Sequence, residues 1–255
     1  MPKPKHTLEI IRQTPDWVAV NKPAGLAVIP GRAETDSVIE ALGRQLGLPS
    51  SGTADPRVRV CHRLDKDTTG VLLFALNSAA QRNIGHQFQH HTVAKEYLAL
   101  VIGRPLENAG TVSTQIGPHP TDKLRMAVVK HGGRPAVTGW AVEERYREFS
   151  LVRLFPETGK THQIRVHMAH LGHPLVVDPL YHPKRYADGL YLSRFKMDYR
   201  PSPKQGKERP LIARLPLHAD RLAFDDPAGG GRIELHAPPP KDFRATVNML
   251  SRHGK

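Results

Sequence analysis

Two hydrophobic rhythms alternate along this chain. Trp17-Val18-Ala19-Val20 is a continuous, β-prone apolar run, and Asn21-Lys22-Pro23-Ala24-Gly25 behind it reads as a turn. From Ser37 the spacing becomes helical. Val38, Ile39, Leu42 and Leu46 recur on one face, Asp36 or Ser37 is available as N-cap, and Gly47 closes the pattern. Ser50 to Asp55 is a small-residue loop. Val71-Leu72-Leu73-Phe74-Ala75-Leu76 is apolar at every position, as a strand buried on both faces would be. Ser78 is placed to cap a helix reaching about Phe88, and Lys95 to Val101 reads as a further strand. Arg147 to Phe155 reads as extended, with Phe149, Leu151 and Arg153 sharing a face. Thr161 to Leu171 carries Ile164, Met168 and Leu171 at i, i+4 and i+7, a helical stripe that Gly172 and Pro174 terminate. Strands and helices alternate without a regular strand–helix–strand beat. This predicts an α+β fold with a mixed, largely antiparallel sheet. Residues 1–15 read as a flexible basic arm, with Pro and Lys concentrated in the first seven positions.

Composition narrows the class of protein. The 255 residues suffice for one large domain or two small ones, and 39% apolar with 24% charged residues is a globular balance. Lys and Arg number 37 against 24 acids, for a net charge of +13. Such an excess points to a polyanionic partner, because each phosphate neutralised by Lys or Arg releases condensed counterions. The charge is uneven: residues 183–214 hold nine Lys/Arg against three acids, with Tyr186, Tyr191, Phe195 and Tyr199 interleaved. An RNA-contacting segment and a solvated surface loop both fit that composition. Cys61 is the lone cysteine, which excludes an internal disulfide and a cysteine zinc site. With no signal-type apolar run after the N-terminus and no stretch of the ~18 apolar residues a membrane span needs, the expectation is a cytoplasmic protein without membrane attachment.

Three stretches carry candidate chemistry. His62-Arg63-Leu64-Asp65-Lys66-Asp67-Thr68-Thr69-Gly70 precedes the most apolar run, where a loop can present a carboxylate into a cleft. Asp65 stands between Arg63 and Lys66, and a carboxylate can act as nucleophile or base in glycosidic chemistry. The same residues also suit an Asx-turn with surface ion pairs. The second stretch is Thr158-Gly159-Lys160-Thr161-His162-Gln163-Ile164-Arg165-Val166-His167. Its Gly-Lys-Thr resembles a phosphate loop, but the Walker pattern requires a glycine where Leu154 stands, so no nucleotide cofactor is expected. His162, Arg165 and Ala169 fall on a helix face away from Ile164 and Met168, and the planar fork of Arg165 suits a buried carboxylate or a phosphate. The histidines His162, His167, His170 and His173 lack the spacing of a zinc helix, so no metal is expected. Third, Tyr97 in the strand at 95–101 is either a core residue or a platform for a flipped base.

Together these stretches resemble the RluA-type pseudouridine synthases. The matching residues are Val20-Asn21-Lys22-Pro23-Ala24-Gly25-Leu26, His62-Arg63-Leu64-Asp65 with Thr68-Thr69-Gly70, Ala94-Lys95-Glu96-Tyr97, Gly159 to His167, Gly172-His173-Pro174-Leu175, Asp178, Leu180-Tyr181, Leu217-His218-Ala219 and Ala237-Pro238. The resemblance implies one catalytic domain over about 16–250, with the basic insertion at 183–214 and an RNA-binding cleft in a central sheet. It implies isomerisation of a flipped-out uridine in ribosomal RNA, with transfer RNA the alternative, by a protein taken as a monomer with no cofactor. Asp65 would be the essential aspartate, attacking the sugar or removing a neighbouring proton. Tyr97 would stack on the uracil, Arg165 would pair with Asp65, and Ile164 would pack on the base. Arg63, with His62, Lys160, His162 and Thr69, would hold the RNA. The chain departs from the family pattern at Lys66-Asp67, at Val177 where Gly is commoner, and at His182 where Gly commonly follows Leu-Tyr. The last two bear on backbone geometry at the cleft rim. The accessory S4-like module of some relatives is not expected. Two rivals from other classes are a non-catalytic RNA-binding protein on the same scaffold and a metal-dependent phosphodiesterase using the histidines and Asp178.

Overall fold

All seven residues of the strand at 69–75, which carries most of the apolar run, are buried, and the computed structural model shows what covers them. The structure describes residues 7–31, 36–50, 52–182, 186–196, 198–199 and 207–254. The first six residues of the expected arm and positions 183–185, 197 and 200–206 of the basic segment lie outside the described residues. In chain order the elements are β1 (Glu9–Gln13), β2 (Trp17–Lys22), α1 (Val38–Leu46), β3 (Arg59–Val60), β4 (Thr69–Ala75), α2 (Ser78–Gln89), β5 (Ala94–Ile102) and β6 (Ala109–Pro118). They continue with β7 (Met126–Val128), β8 (Arg134–Arg145), β9 (Phe149–Pro156), α3 (Gln163–His170), β10 (Leu217–Asp225), β11 (Arg232–His236) and α4 (Lys241–His253). The chain divides into two compact units, Met1–Glu96 with His218–Pro238 and Tyr97–Leu217 with Pro239–Lys255.

In the first unit the strand order is β1-β2-β4-β10, with β3 on β4 and β11 on β10. Every pairing is antiparallel except β4 with β10, which run parallel through Thr69↔His218 and Gly70↔Ala219. Trp17, Ala19, Val71, Leu73 and Ala75 project to one face and pack against Ala80 and Ile84 of α2 and against Leu222, Phe224, Ile233 and Leu235. The Trp17 ring meets Phe224 edge-on at 5.2 Å, and its Nε1–H donates to Asp226. Helix α1 begins where expected: the Ser37 hydroxyl accepts from the Glu40 N–H, and Gly47 ends the helix in the left-handed region. Helix α2 is capped by Asn77 rather than by Ser78. Asn77 is still extended and accepts from the Ala80 N–H, while Asp16 accepts from its amide.

The second unit is an antiparallel sheet in the order β5-β9-β8-β6-β7. Both of its faces are covered. Leu98, Leu100, Phe149 and Leu151 join one apolar cluster with Phe243 and Leu250 of α4 and with Tyr186, Leu190, Phe195 and Ile212 of the basic segment. Ala99, Val101, Val152 and Leu154 join another with Ile164 and Met168 of α3. The period-2 geometry of β5 and β9 therefore separates α4 from α3 by the thickness of the sheet.

Several expectations need correction. Glu9–Gln13, placed in a flexible arm over 1–15, is a strand paired with β2. Phe149, Leu151 and Arg153 do share a face of β9, opposite Ile102, Leu100 and Leu98 of β5, but the alternate positions Ser150, Val152 and Leu154 are buried too, so β9 is covered on both sides. The long β6–β8 pair is not legible in the sequence, because Gly110, Gly117, Pro135 and Gly139 interrupt strands that alternate only weakly between buried and exposed. Val177, expected to bear on the cleft rim, is a core residue, and neither it nor His182 has a positive φ. The described part of 183–214 is not a solvated loop, since Tyr186 and Phe195 are buried and Leu190 bridges to Ile212. Phe195→Ala is therefore expected to destabilise the protein by about 3 kcal/mol, as for a buried aromatic. A denaturation midpoint unchanged from wild type would show that the segment is not part of the core.

Candidate active site

Asp65 sits on the loop between β3 and β4, half-buried, with Arg63 exposed beside it and Leu64 buried as the anchor. Within the loop the Thr68 N–H donates to the Asp65 carbonyl and closes one turn. Its support comes from β2. Lys22, fully buried, pairs opposite Gly70 across the sheet, and its Nζ donates to the carbonyls of Pro23, Lys66 and Thr68 at 2.7–2.9 Å. Three acceptors around one nitrogen require the ammonium form, and hydrogen bonds to a charged donor are about twice as strong as neutral ones. The charge thus pins the loop on the C-terminal side of Asp65.

The far end of the loop is held by close approach. Gly70 has φ +110°, and a Cβ there would lie 2.1 Å from the Ala219 carbonyl oxygen, so only glycine permits the parallel contact with β10. Next to it the Thr69 hydroxyl meets His218 Nδ1 at 2.9 Å, and His218 Nε2–H donates to the Ala237 carbonyl. That pairing requires the proton on Nε2, and with a neutral ring the Thr69 hydroxyl is the donor to Nδ1. The near end is held by His62, whose Nε2 accepts the Leu73 N–H at 3.1 Å and whose ring stacks on Phe88. Burial, reinforced by the charge of Lys95, pushes the His62 pKa down to about 3, so it is neutral. Thr69 and His62, expected to bind RNA, both contribute to the framework of the loop, and Thr69 is only 1% exposed.

The other sequence-predicted residues belong to the second unit. Tyr97, half-buried on β5, packs on the same apolar cluster as Ile164. Arg165 is buried on α3 and grips Asp178 with two parallel bonds, Nε to Oδ2 and Nη2 to Oδ1, both 2.8 Å. Asp178 Oδ1 also accepts the N–H groups of Leu180 and Tyr181. Its carboxylate is therefore committed to orienting Arg165, and this buried fork is the partner that sequence reasoning missed. The guanidinium groups of Arg165 and Arg125 both lie over the Tyr181 ring, at 5.1 and 5.3 Å from its centroid. Burial holds the Tyr181 pKa above its usual value, and its oxygen accepts the Met126 N–H and meets His162 Nδ1 at 3.0 Å. His162 itself has φ +57°, a left-handed turn into α3 that a non-glycine residue adopts at some cost.

Gln163 explains how that turn is kept. Its Oε1 accepts from the Thr158 hydroxyl and the Lys160 N–H, and its Nε2 donates to the Val137 carbonyl and Thr138 Oγ1. All four hydrogen-bonding positions of the amide are used. His167 continues the network between Thr138 and Thr114, and burial pushes its pKa down to about 4. Lys160 remains half-buried at the loop before α3. The four histidines of this region have separate surroundings: His173 meets the Ile102 carbonyl and His170 is exposed. Among the described residues no three His, Cys, Asp or Glu gather as a metal site.

A family model described as RNA pseudouridylate synthase matches residues 16–170, a span that includes Lys22, Asp65, Tyr97 and Arg165. The chain belongs to the RNA pseudouridylate synthase family. It is 36% identical over 249 residues to the ribosomal large subunit pseudouridine synthase D of Haemophilus ducreyi, covering 95% of this chain and 70% of that protein. The protein of the same name from Xanthomonas campestris is 38% identical over 244 residues, covering 95% and 69%. Among solved structures, Human RNA Pseudouridylate Synthase Domain Containing 4 superposes with a TM-score of 0.70 at 27% identity, over 95% of this chain and 93% of that one. Within the matched span, Lys22 constrains the backbone of the loop that carries Asp65.

The buried cation and the buried neutral histidines each have a measurable consequence. Lys22→Met leaves buried carbonyls without a donor, each at a cost of about 1–3 kcal/mol, and is expected to lower both stability and turnover while RNA affinity changes little. Turnover equal to wild type would remove Lys22 from the positioning of Asp65. Because His62 and His167 are neutral when folded but titrate near 6.5 when unfolded, the unfolded chain binds more protons below that pH. Stability should therefore fall on acidification from pH 7 towards 4. A urea midpoint constant across that range would contradict the neutral assignments.

Proposed function

We propose that this protein converts a uridine of large-subunit ribosomal RNA to pseudouridine, with Asp65 as the essential carboxylate. The observation that carries the assignment is the Asp65 loop: a half-buried carboxylate whose main chain is clamped by a buried ammonium, inside the matched family span. Pseudouridylate synthases break the C1′–N1 glycosidic bond, rotate the uracil and rejoin it through C5, with the C5 proton lost and N1 protonated. Asp65 is assigned the step that loosens the glycosidic bond, either as nucleophile at the sugar or as base on it. The target must leave its stack for that atom to be reached. Tyr97 is assigned to stack on the extruded uracil beside Ile164, and Arg165, oriented by Asp178, to pair with the Asp65 carboxylate. Arg63, exposed next to Asp65, is assigned to the RNA strand, with Lys160 and His162 at the edge of α3. His62 and Thr69 act through the loop rather than on the substrate.

Ribosomal RNA is chosen because the curated relatives carry that substrate in their names. We take residues 16–250 as one catalytic domain working as a monomer in the cytoplasm, without metal or nucleotide cofactor, and the segment 183–214 as part of its RNA-contacting surface. Among the described residues no helix is long and apolar enough to cross a membrane.

The test is pseudouridine mapping of total RNA from cells lacking the gene, complemented with wild type or with Asp65→Asn. Loss of one or a few ribosomal sites, restored by wild type alone, is the expected result. Purified Asp65→Asn should still bind RNA within about threefold of wild type, since affinity rests on phosphate contacts. Restoration by Asp65→Asn would remove this residue from the chemistry, and a lost site in transfer RNA would move the substrate.

A further inference from the structure

Helix α4 presents a solvent face that its own stability does not explain. Phe243, Thr246 and Leu250 are buried, and Val247 and Met249 pack on the same cluster. The exposed positions are Lys241, Arg244, Ala245, Asn248 and Arg252, with His253 at the end. At 100° per residue the first five fall within one stripe, roughly 16 Å long from Lys241 to Arg252. The stripe carries three cations and no acid. Asp242, the only acidic residue of the helix, lies off it and is held by the guanidinium of Arg214 through two bonds of 2.8 and 2.6 Å.

For a helix that merely faces solvent this is a poor arrangement. Lys241 and Arg244 stand in the first turn, at the positive end of the helix dipole, and they are like charges at i, i+3. An ordinary exposed face would mix signs or place acids there. The surroundings extend the same sign. Arg147, exposed, donates its main-chain N–H to the Gly254 carbonyl at the end of α4. Arg194, Lys207 and Arg209 are exposed on the segment whose Leu192, Phe195, Leu211 and Ile212 share the apolar cluster with Phe243 and Leu250. Glu148, Asp188 and Asp198 are the exposed acids among these neighbours, so cations remain in excess. The cluster under α4 takes Leu98 and Leu100 from β5, whereas Tyr97, Ile164 and α3 belong to the cluster built on Ala99 and Val101. Within this unit the stripe and the Tyr97–Arg165 group therefore lie on opposite faces of the sheet.

We propose that the α4 stripe, with the exposed Arg194, Lys207 and Arg209, is a second RNA-docking surface that grips phosphates away from the target uridine. This rests on the function proposed above and adds a partner surface to it. An RNA that fills both faces must be larger than the stem-loop that carries the target, so the stripe selects for large folded RNA.

The experiment compares wild type with Lys241→Gln/Arg244→Gln/Arg252→Gln on two probes, a large-subunit ribosomal RNA transcript and a short stem-loop cut from it around the modified site. Binding is measured between about 50 and 200 mM salt, with single-turnover pseudouridine formation on the stem-loop. On the transcript the affinity should drop by roughly tenfold or more, and the salt slope should become shallower by about two to three, close to one for each phosphate no longer neutralised. Stem-loop affinity and turnover should stay within about twofold, and the melting temperature should change little, because the two unfavourable charges lost from the first turn offset the favourable Arg252 lost from the last. Equal loss on both probes, or none on either, overturns the proposal. Should the triple variant unfold, Lys241→Gln/Arg244→Gln is expected to show the same selectivity at smaller size, and its absence is equally decisive. If wild type shows stripe-dependent binding yet forms no pseudouridine in any RNA, the function fails and the surface stands. If pseudouridine forms and the variant binds the transcript like wild type, the surface fails and the function stands.

Discussion

A fully buried ammonium is the constraint on which the candidate catalytic loop depends. Lys22 can enter the interior of its unit only if its three protons find acceptors, and the carbonyls of Pro23, Lys66 and Thr68 are brought to it at 2.7–2.9 Å. Two of these belong to the residues just after Asp65. The loop cannot shift without stranding a charge in a place that water does not reach, so its cost of movement is electrostatic rather than steric. Gly70 adds the steric part, because β4 and β10 approach so closely that a methyl group would collide with the Ala219 carbonyl. His62 and Thr69 complete the frame from the two ends.

The second unit solves a parallel problem with a different pair of charges. Arg165 is buried with Asp178, and the carboxylate is further satisfied by two main-chain N–H groups. A buried pair of this kind adds little net stability, but removing one partner leaves an uncompensated charge. Its use is orientation: one edge of the guanidinium is fixed on Asp178, with the Tyr181 ring against its face. Gln163 holds the strained entry to α3 in the same manner, with every position of its amide engaged. In both units, then, polar side chains aimed at main-chain atoms set the geometry, and the apolar clusters provide the rigid walls.

Much of this was legible in the order of residues alone. The apolar run at 71–76, the Ser37 cap, the Gly47 and Gly172 stops and the strand around Tyr97 depend on local pattern, which sequence carries directly. The motifs around Asp65 and Arg165 were specific enough to indicate the family, because such spacings leave few other chemistries. The aromatic residues of 183–214 show where composition misleads. Tyr186 and Phe195 look like bases' stacking partners in a basic tract, yet both are buried against Phe149 and α4.

What the sequence by itself determined is therefore part of the set of elements (β2, β4, β5, β9 and the helices α1 to α3), the family and the residue types at the chemistry, since these rest on periodicity, caps and motif spacing. Only the tertiary structure decided what each polar side chain is for. Lys22 and Lys66 are 44 positions apart in the chain, His218 and Thr69 are 149 apart, and no local pattern relates them. The need for Gly at position 70 appears only when Ala219 is beside it, and the commitment of Asp178 only when α3 returns Arg165 to it. A hydrogen bond between distant residues is a property of the folded chain, because it is the packing of the strands that brings donor and acceptor within about 3 Å.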